Sequence, residues 1–454
     1  MDYPQAVEYL LSFADFERSG RFQERPDVAP MLSLLHRLGD PHRFDKLTAG
    51  LGRATVHVAG SKGKGSICAM AESVLRAAGL RTGLYTSPHL HSYTERVRID
   101  GAPIAEDDFA RLAGQLRPAV EGVQETLGDR RLVTFDLLTA LGFLAFREAA
   151  VEVQVIEVGL GGRVDSTNVF ETKEVAVIAP LSLEHTAILG DTLEQIAAEK
   201  AAIITPGCSA VMAPQAHAEG AAVVREFAAA AGASVVDVAR DYRWRRLSHD
   251  LRGQNVRIEG PRGVVEARLP LLGAHQIENA ATAVAAIEAL AGAGSQPAPT
   301  ADAIARGLAG VCWPGRLEVL REEPLIVADG AHNRDSARRL REALGEYFAC
   351  ERALFVVGVS SDKDIDGLAG ELAPVASRIV AVRSGHPRAM PPERIAAAFQ
   401  ERGLRADVAD SVASAIDSAM AITGAGGVIC LVGSLFVAAE GREHVLGRAG
   451  SDGH

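Results

Sequence analysis

Cysteines are sparse in this chain, and none has the spacing of a metal or disulfide cluster. The 454 residues contain five cysteines, with no CxxC pair among them. A disulfide framework and a zinc site both require cysteines at short, repeated spacings. The sequence therefore argues against both kinds of site. The five residues are Cys68, Cys208, Cys312, Cys350 and Cys430.

Long apolar runs are also missing. Hydrophobic residues make up 48% of the chain, but no run approaches the roughly 18 apolar residues that a membrane-spanning helix needs. Residues 1–4 (MDYP) do not begin a basic region followed by an apolar stretch, so no signal peptide is evident. These absences predict a cytoplasmic protein with no membrane partner.

The chain has no excess of positive charge. Lysine and arginine number 47 against 58 aspartates and glutamates, which gives a formal net charge of -11. Domains that bind nucleic acid are usually basic over one face. The charge balance therefore predicts no nucleic-acid partner, and leaves room only for a local basic pocket around a small anionic substrate.

The most informative segment is residues 56–66 (VHVAGSKGKGS), in which a β-branched run leads into a glycine-rich loop and then a helix. The glycines let backbone N–H groups curl toward an anion, and Lys64 adds a mobile positive charge. The general P-loop pattern has Ser or Thr directly after its lysine, whereas here Gly65 stands there and the hydroxyl follows at Ser66. The alternative is a strand-to-helix turn with an incidental lysine. The predicted phosphate-binding residues are Gly60, Ser61, Lys62, Gly63, Lys64, Gly65 and Ser66.

Strand and helix patterns alternate along most of the chain. Strands are predicted at residues 82–86, 151–158 and 175–181, with a helix at 135–146. This alternation predicts a parallel sheet, and ligands of such sheets bind beyond the carboxyl ends of the strands. From residue 234 to 269 the pattern turns alternating and polar, which predicts an antiparallel sheet at the edge of the first.

A second series of strands and helices begins after the segment Trp313-Pro314-Gly315-Arg316. We therefore predict an α/β protein: a P-loop ATPase domain with a parallel sheet over residues 1–314, and a smaller Rossmann-like C-terminal domain over residues 315–454. The predicted strands of the second domain are residues 325–328, 354–359, 379–382 and 428–432.

Two polar residues stand near the ends of predicted strands. Glu157 lies near the end of one buried strand and His185 closes the next. A carboxylate at this edge is a hard oxygen ligand, of the kind that Mg²⁺ takes together with phosphate oxygens and water. His185 is a candidate metal ligand or acid/base group. The alternative for both residues is a structural role beside a turn.

Lys200 falls on the apolar stripe of the predicted helix 192–204. A buried lysine is costly unless it is paired or chemically modified, and burial lowers its pKa toward a reactive neutral amine. The alternative is a lysine at the stripe's edge that extends its amine to water.

The second predicted domain adds a separate polar group. Asp329 and His332 lie in residues 329–333 (DGAHN), after a buried strand and before a helix. Asp329 could accept hydrogen bonds from ribose hydroxyls, His332 could lie near phosphates or a ring, and Arg316 could reach across the cleft. Together they predict a nucleotide held between two domains.

In order along nearly the whole chain, these segments resemble folylpolyglutamate synthase/dihydrofolate synthase, a branch of the Mur ligase superfamily. Residues 60–66 look like the GTNGKGS loop of that family, and residues 157–168 are similar to its EVGLGGRLDATN motif. Further segments that resemble family motifs are residues 86–90 (TSPHL), 94–98 (TERVR), 199–201 (EKA), 273–276 (GAHQ) with Asn279, 313–318 (WPGRLE), 329–333 (DGAHN) and 362–364 (DKD).

The resemblance implies an ATP-dependent ligase with Mg²⁺ that joins L-glutamate to dihydropteroate or folate through an acyl phosphate. We expect a monomer, with Lys64, Lys200 and His185 as the catalytic residues. The resemblance also implies that Lys200 is carbamylated and holds a second Mg²⁺. The implied contacts are Ser87, Glu157, His185 and Lys200 for metal, Asn279, Arg316, Asp329 and His332 for ATP, and Phe135 and Asp165 for the pterin.

Five positions depart from the family pattern. Ser61-Lys62 replaces Thr-Asn, Glu184 replaces Asp, Asp136 replaces Glu, and Arg334 replaces Pro. None of these changes removes an implied ligand, but they leave the preferred acid open. Three other hypotheses stand beside the bifunctional ligase: a folylpolyglutamate synthase alone, a Mur-type ligase for another acid, and a nucleotide-binding module without ligation. The inward Lys200 and the metal ligands disfavour the last.

Overall fold

The protein is described here from a computed structural model that covers residues 1–19, 27–43, 53–128, 130–294, 296, 298–424 and 426–447. The strands are β1 (Ala54–Ala59), β2 (Thr82–Tyr85), β3 (Val97–Ile99), β4 (Ala102–Pro103), β5 (Val153–Glu157), β6 (Val175–Ile178), β7 (Ser209–Met212), β8 (Ser234–Asp237), β9 (Arg243–Asp250), β10 (Gly253–Gly260), β11 (Gly263–Leu269), β12 (Glu318–Glu322), β13 (Leu325–Ala328), β14 (Ala353–Val357), β15 (Ala376–Ala381), β16 (Ala406–Val408) and β17 (Val428–Val432).

The helices are α1 (Tyr3–Leu11), α2 (Phe16–Ser19), α3 (Ala29–Arg37), α4 (Lys64–Ala77), α5 (Glu106–Gln124), α6 (Thr134–Glu148), α7 (Thr186–Leu189), α8 (Leu193–Ala201), α9 (Ala218–Ala230), α10 (Val238–Asp241), α11 (Ala274–Gly292), α12 (Ala301–Ala309), α13 (Arg334–Phe348), α14 (Ile365–Leu372), α15 (Pro392–Gln400), α16 (Val412–Thr423) and α17 (Leu435–Leu446). In the described part of the chain, none of them combines the length and the apolar character needed to cross a membrane.

The first sheet has eight strands in the order β4-β3-β2-β5-β1-β6-β7-β8. It is parallel from β2 to β8, and the hairpin of β3 and β4 adds antiparallel strands at one edge. Strand β1 is central and entirely buried, with β5 on one side and β6 on the other. Its carboxyl end, where the glycine-rich loop begins, therefore lies in the middle of the sheet edge.

Both faces of this sheet are covered, which explains the nearly continuous apolar runs of its strands. On one face, Val153 and Val155 of β5 pack in a core with α4 and α11. On the other face, Ile156 packs with α5 and α6. Successive residues of β5 thus alternate between two separate cores, as the pleat of a strand requires.

The prediction of a single edge sheet over residues 234–269 is wrong in two respects. Residues 234–237 form β8, a parallel edge strand of the first sheet, while β9, β10 and β11 form a separate antiparallel sheet of three strands. Val256 and Ile258 of β10 pack into the core that contains α11. Alternation along a strand shows that one face is buried, but it does not show which sheet the strand joins.

The second large sheet has six strands in the order β12-β13-β17-β14-β15-β16. All its pairings are parallel except that of β12 with β13. The prediction of an α/β fold with two parallel sheets is confirmed, and both sheets are mixed only at an edge.

Candidate active site

A cavity of about 350 Å³ lies where the carboxyl ends of the first sheet meet the second large sheet. It brings together residues that are far apart in the sequence, from the glycine-rich loop after β1 to the loops after β13 and β17. Every residue predicted to bind ATP or metal lines it: Gly60, Ser61, Lys62, Gly63, Lys64, Gly65, Ser66, Ser87, Glu157, His185, Lys200, Asn279, Arg316, Asp329 and His332.

The shape of the loop depends on glycine. Gly63 has a φ of +80° and precedes α4, which begins at Lys64. A side chain at Gly63 would collide with the amide of Asn279, and one at Gly65 would meet the indole of Trp313. The loop is therefore packed closely against α11 and against the segment that leads into the second sheet.

The prediction that the loop amides cradle an anion needs a correction. The amides of Ser61 and Lys62 donate to the carbonyl of Pro180, at 3.0 Å and 3.1 Å, so these two are already used within the protein. The first amides of α4, from Lys64 onward, have no acceptor inside the helix because a helix always leaves its first N–H groups unpaired. Those amides, rather than the whole loop, are suited to an anion.

Two lysine amines converge on one carbonyl oxygen of the loop. Lys64 Nζ lies 3.1 Å from the oxygen of Gly60, and Lys200 Nζ lies 3.0 Å from the same atom. Neither contact neutralises the positive charge of the amines. The two amines therefore place positive charge at the wall of the cavity, where it would attract an anionic ligand.

Glu184 supplies the compensating negative charge. Its carboxylate lies 3.1 Å from Lys200 Nζ and 3.6 Å from Lys62 Nζ. Burial opposes its ionisation, but Lys200, Lys64 and Lys62 together bring the pKa of Glu184 down to about 2. Glu184 was not among the predicted site residues, although its position directly before His185 was a signal for one.

The prediction that Lys200 points inward is confirmed. Its side chain is 2% exposed, although α8 otherwise carries several polar residues. Burial lowers the pKa of Lys200 to about 8, against the opposing effect of Glu184. This amine is a hydrogen-bond donor and cannot ligate a cation in this form, so any metal-binding role requires its chemical modification.

Glu157 occupies the position predicted for it, at the last residue of β5. The backbone N–H of Ser87 donates to its carboxylate at 3.2 Å. Burial raises the pKa of Glu157, and Lys64 opposes that rise. The end of β5 and the loop after β2 thus bring a carboxylate and a hydroxyl-bearing residue into the cavity that Lys64 also lines.

The prediction that His185 closes the strand next to that of Glu157 is wrong. Strand β6 ends at Ile178, and His185 lies further along, just before α7, with a φ of +48°. Strands β5 and β6 flank β1 instead of pairing with each other. The intervening loop nevertheless returns His185 to the cavity. Burial lowers its pKa to about 4, so the ring is neutral at neutral pH.

The groups from the second large sheet are held by backbone contacts. The carboxylate of Asp329 accepts from the N–H groups of Leu317 and Ala331, each at 2.8 Å. His332 Nδ1 lies 2.8 Å from the carbonyl of Gly330, so Nδ1 carries the proton. Burial lowers the pKa of His332 to about 3. The ring is therefore neutral and presents Nε2 as an acceptor toward a ligand in the cavity.

Phe135 and Asp165, the residues predicted at the pterin site, do not line the cavity themselves. Both lie against Gly159, which does. A Cβ at Gly159 would be 2.6 Å from Cζ of Phe135 and 3.2 Å from Oδ2 of Asp165. The glycine thus allows a ring and a carboxylate to approach the cavity wall together.

Several polar residues at the cavity were not predicted. They include Lys363, in the DKD segment, and Gln276, in the GAHQ segment, together with Arg339 and Arg388. The two motif residues stood in segments already recognised, and that was the available signal. The two arginines belong to no motif, and only the fold brings them to the cavity.

Two domain families match the chain. Residues 114–287 match the Mur ligase middle domain, and residues 315–435 match the Mur ligase, glutamate ligase domain. Glu157 lies in the first of these ranges and the strands from β12 to β17 lie in the second, so the buried carboxylate and the second large sheet fall within segments typical of Mur-type ligases.

Two relatives show which kind of Mur-type ligase the chain resembles. The chain is 36% identical over 431 residues to the dihydrofolate synthase/folylpolyglutamate synthase of Mycobacterium tuberculosis, with 92% of this chain and 86% of that protein covered. It is also 36% identical over 450 residues to a probable bifunctional folylpolyglutamate synthase/dihydropteroate synthase of Haloferax volcanii, with 97% of this chain covered; the chain spans 50% of that relative's length.

A solved structure agrees with these relatives. The Mycobacterium tuberculosis folylpolyglutamate synthase complexed with ADP superimposes with a TM-score of 0.88 at 34% identity, over 98% of this chain and 99% of that one. The chain belongs to the folylpolyglutamate synthase/dihydrofolate synthase family.

Proposed function

We propose that this chain is an ATP-dependent ligase that forms an amide bond between L-glutamate and a carboxylate of dihydropteroate or of a reduced folate. The observation that carries the proposal is the convergence of Lys64, Glu157 and the Asp329–His332 loop in one cavity. The family relationship supports ATP as the phosphate donor, since a related enzyme was solved with ADP.

The reaction has two steps. A carboxylate oxygen of the acid attacks the γ-phosphorus of ATP, ADP leaves, and an acyl phosphate forms. The amino group of glutamate then attacks the acyl carbon, inorganic phosphate leaves, and the nitrogen loses a proton. Lys64 and the first amides of α4 would bind the phosphate oxygens and stabilise the charge that develops on them.

Ser87, Glu157 and His185 would hold Mg²⁺ beside the phosphates. The donors suit that ion, since a buried carboxylate stands beside Ser87 and the imidazole is neutral. In the described ranges, no group of three or more His, Cys, Asp and Glu residues forms a metal site. Mg²⁺ commonly completes its shell with phosphate and water oxygens, and it neutralises charge on the transferring group.

We also propose that Lys200 is carbamylated in the working enzyme and holds a second Mg²⁺. Its burial and its pKa of about 8 give Lys200 a larger neutral fraction than an exposed lysine has, and the neutral amine is the form that reacts with carbon dioxide. The modification replaces a cation with an anion, which ends the attraction to Glu184 and leaves Lys62 as the cation facing that carboxylate.

Carbamylation has a direct test. With ¹³C-labelled bicarbonate, a carbamate resonance is expected in the wild-type protein and not in Lys200→Ala. The activity lost in Lys200→Ala should be partly restored by a small carboxylate. Absence of the resonance at saturating bicarbonate would contradict the proposal.

Asp165 and Phe135 support a bifunctional enzyme that uses both dihydropteroate and reduced folate. A carboxylate beside the cavity wall suits the donor edge of a pterin, and such charge-assisted hydrogen bonds are worth about 1.5 to 3 kcal/mol. Asp165→Ala is expected to damage ligation to dihydropteroate more than ligation to tetrahydrofolate. Equal losses with the two acids would contradict this role of Asp165.

The principal test is ADP release by the wild-type protein with Mg²⁺. We expect steady release only when ATP, an acid and L-glutamate are all present, with dihydropteroate and tetrahydrofolate each serving as the acid. Release that needs neither the acid nor glutamate would contradict ligation. Turnover with tetrahydrofolate alone would reduce the function to a folylpolyglutamate synthase.

Three further proposals come from the sequence: a division into domains at residues 1–314 and 315–454, a monomer, and a cytoplasmic location. Strand β12 begins at Glu318, just after the proposed boundary, and this supports the division. Limited proteolysis, sedimentation and cell fractionation test the three proposals in turn.

A further inference from the structure

We propose that Thr167, His57 and Lys173 are positioning residues for the acid substrate, because they form a buried chain of hydrogen bonds that holds the carboxylate of Asp165 beside the cavity. The proposal rests on the proposed role of Asp165 in recognising the acid. It goes beyond that role by assigning a function to three residues that do not line the cavity.

The chain of hydrogen bonds from Lys173 to Asp165 is continuous. Lys173 Nζ lies 2.9 Å from His57 Nδ1, and His57 Nε2 lies 2.9 Å from the hydroxyl of Thr167. That hydroxyl donates to Asp165 Oδ1 at 2.6 Å, and the backbone N–H of Thr167 donates to the same oxygen at 3.0 Å. All four side chains are buried, so water does not compete for these contacts.

The number of protons fixes the direction of every bond. The single hydroxyl proton of Thr167 goes to Asp165, so the same oxygen must accept from His57 Nε2–H. Burial and the nearby Lys173 amine hold the pKa of His57 well below its usual value. A neutral ring with its proton on Nε2 accepts at Nδ1, and the amine of Lys173 is the donor to that atom. The chain therefore runs from Lys173 to Asp165 with one arrangement of protons.

Lys173 is anchored at the far end. It donates to the carbonyl of Ile203 at 2.8 Å and faces the side chain of Asn168 at 3.5 Å. Its amine also lies 5.4 Å from the centre of the Phe170 ring. The amine is thus fixed from several elements, and His57 cannot rotate without losing a partner at each ring nitrogen.

At the near end, the chain leaves Asp165 Oδ2 on the cavity side. This oxygen accepts from the N–H of Leu160 at 2.9 Å and adjoins Gly159, which lines the cavity. Thr167 therefore holds Oδ1, while Oδ2 is hydrogen-bonded to the loop that forms the cavity wall. Loss of the Thr167 hydroxyl would remove the shortest of the contacts that hold Oδ1 and leave the backbone N–H of Thr167 on that oxygen, so the carboxylate would be held less firmly.

His57 lies in β1, the strand that leads directly into the glycine-rich loop. It lies in the middle of this strand and pairs in register with Ile156 of β5 and Ala176 of β6. An imidazole and an amine in this core carry a desolvation cost that apolar residues would avoid. A requirement to orient Asp165 accounts for polar residues at a place where packing alone favours aliphatic ones.

The test compares Thr167→Val with Thr167→Ser in the full chain. Valine keeps the shape and removes the hydroxyl, so KM for dihydropteroate should rise about tenfold, while KM for ATP stays within twofold of wild type. Serine restores the hydroxyl and should restore KM. In an Asp165→Asn background, Thr167→Val should add less than a twofold change, because the oxygen that it positions has lost its charge.

The matched control is Thr282→Val. Thr282 is equally buried, and its hydroxyl donates to the carbonyl of Glu278 at 2.8 Å; KM for the acid should not change. If Thr167→Val does not fold, His57→Gln and His57→Leu give a second comparison. Glutamine offers a donor and an acceptor like those of the imidazole, whereas leucine offers neither.

The outcomes separate the two proposals. Suppose that the wild-type protein ligates. If KM for the acid is then unchanged in the variants, or rises in parallel with KM for ATP, the positioning role is overturned. A wild-type protein that releases no ADP in response to acid and glutamate overturns the proposed function itself.

Discussion

The backbone of Gly65 lies against the indole of Trp313, so closely that a Cβ at Gly65 would be 2.7 Å from Cζ2 of the ring. This contact explains why the loop has no hydroxyl directly after Lys64, where a general P-loop has Ser or Thr. The indole occupies the space that such a side chain would need. Because Trp313 begins the segment that enters the second large sheet, the contact also fixes the loop relative to that sheet.

Gly65→Ala should therefore destabilise the protein by about 1 to 3 kcal/mol, the usual cost of overpacking, and should weaken ATP binding. Urea unfolding and nucleotide titration measure the two effects. Gly114→Ala is the control, since Gly114 lies in α5 with open space around it, and alanine there should raise stability by up to about 1 kcal/mol. Equal stability changes at the two glycines would contradict the packing account.

Lys64→Ala should abolish most ligation. The amine rests on the carbonyl of Gly60, from which it can reach a phosphate in the same cavity. Loss of one charge contact to the transition state costs about 3 to 4 kcal/mol, or roughly 10² to 10³ in rate. The rate of ADP release checks this, and wild-type turnover would disprove the assignment of the loop.

Glu157→Gln should leave the fold intact and raise the Mg²⁺ concentration needed for activity. Glutamine has nearly the same shape but offers no charge to a cation. Activity measured against Mg²⁺ concentration, with circular dichroism as the check on folding, gives the answer. A variant with wild-type activity and an unchanged Mg²⁺ requirement would show that Glu157 is structural.

Lys173→Met should change how stability depends on pH. Burial lowers the pKa of Lys173 to about 7 in the folded protein, whereas an unfolded lysine titrates near 10.4. Between these values the unfolded chain binds one more proton at this residue, so the free energy of unfolding rises with pH by up to about 1.4 kcal/mol per unit. Methionine removes this contribution, so the slope should be smaller between about pH 7 and 10.

Chemical denaturation at several pH values measures that slope. Lys200, with a pKa of about 8, contributes a slope of the same sign, so only the difference between Lys173→Met and wild type is informative. Identical slopes would show that Lys173 is protonated in the folded protein throughout this range.

The cores of both sheets could be predicted from the sequence because their strands are buried on both faces. Residues 175–178 and 354–357 read as unbroken apolar runs, and each belongs to a strand inside its sheet. The inward position of Lys200 was also predictable, because helical spacing places its side chain on the same face as the apolar residues of α8. Short-range periodicity carries this information directly.

The parts that could not be predicted depend on the paths of loops. His185 reaches the cavity from a loop beyond β6, and no local pattern encodes such a path. The amides of Ser61 and Lys62 are taken by Pro180, a residue distant in sequence. The contact of Gly65 with Trp313 and the chain from Lys173 to Asp165 likewise join segments that only the fold brings together.

Transfer of ¹⁸O tests the acyl phosphate most directly. The acid is labelled with ¹⁸O in its reacting carboxylate and incubated with ATP, Mg²⁺ and L-glutamate, and the inorganic phosphate is analysed by mass spectrometry. The account predicts one ¹⁸O atom in each phosphate released, because the carboxylate oxygen that attacks the γ-phosphorus leaves with it. Phosphate that carries no label, formed while the amide product accumulates, would contradict the mechanism.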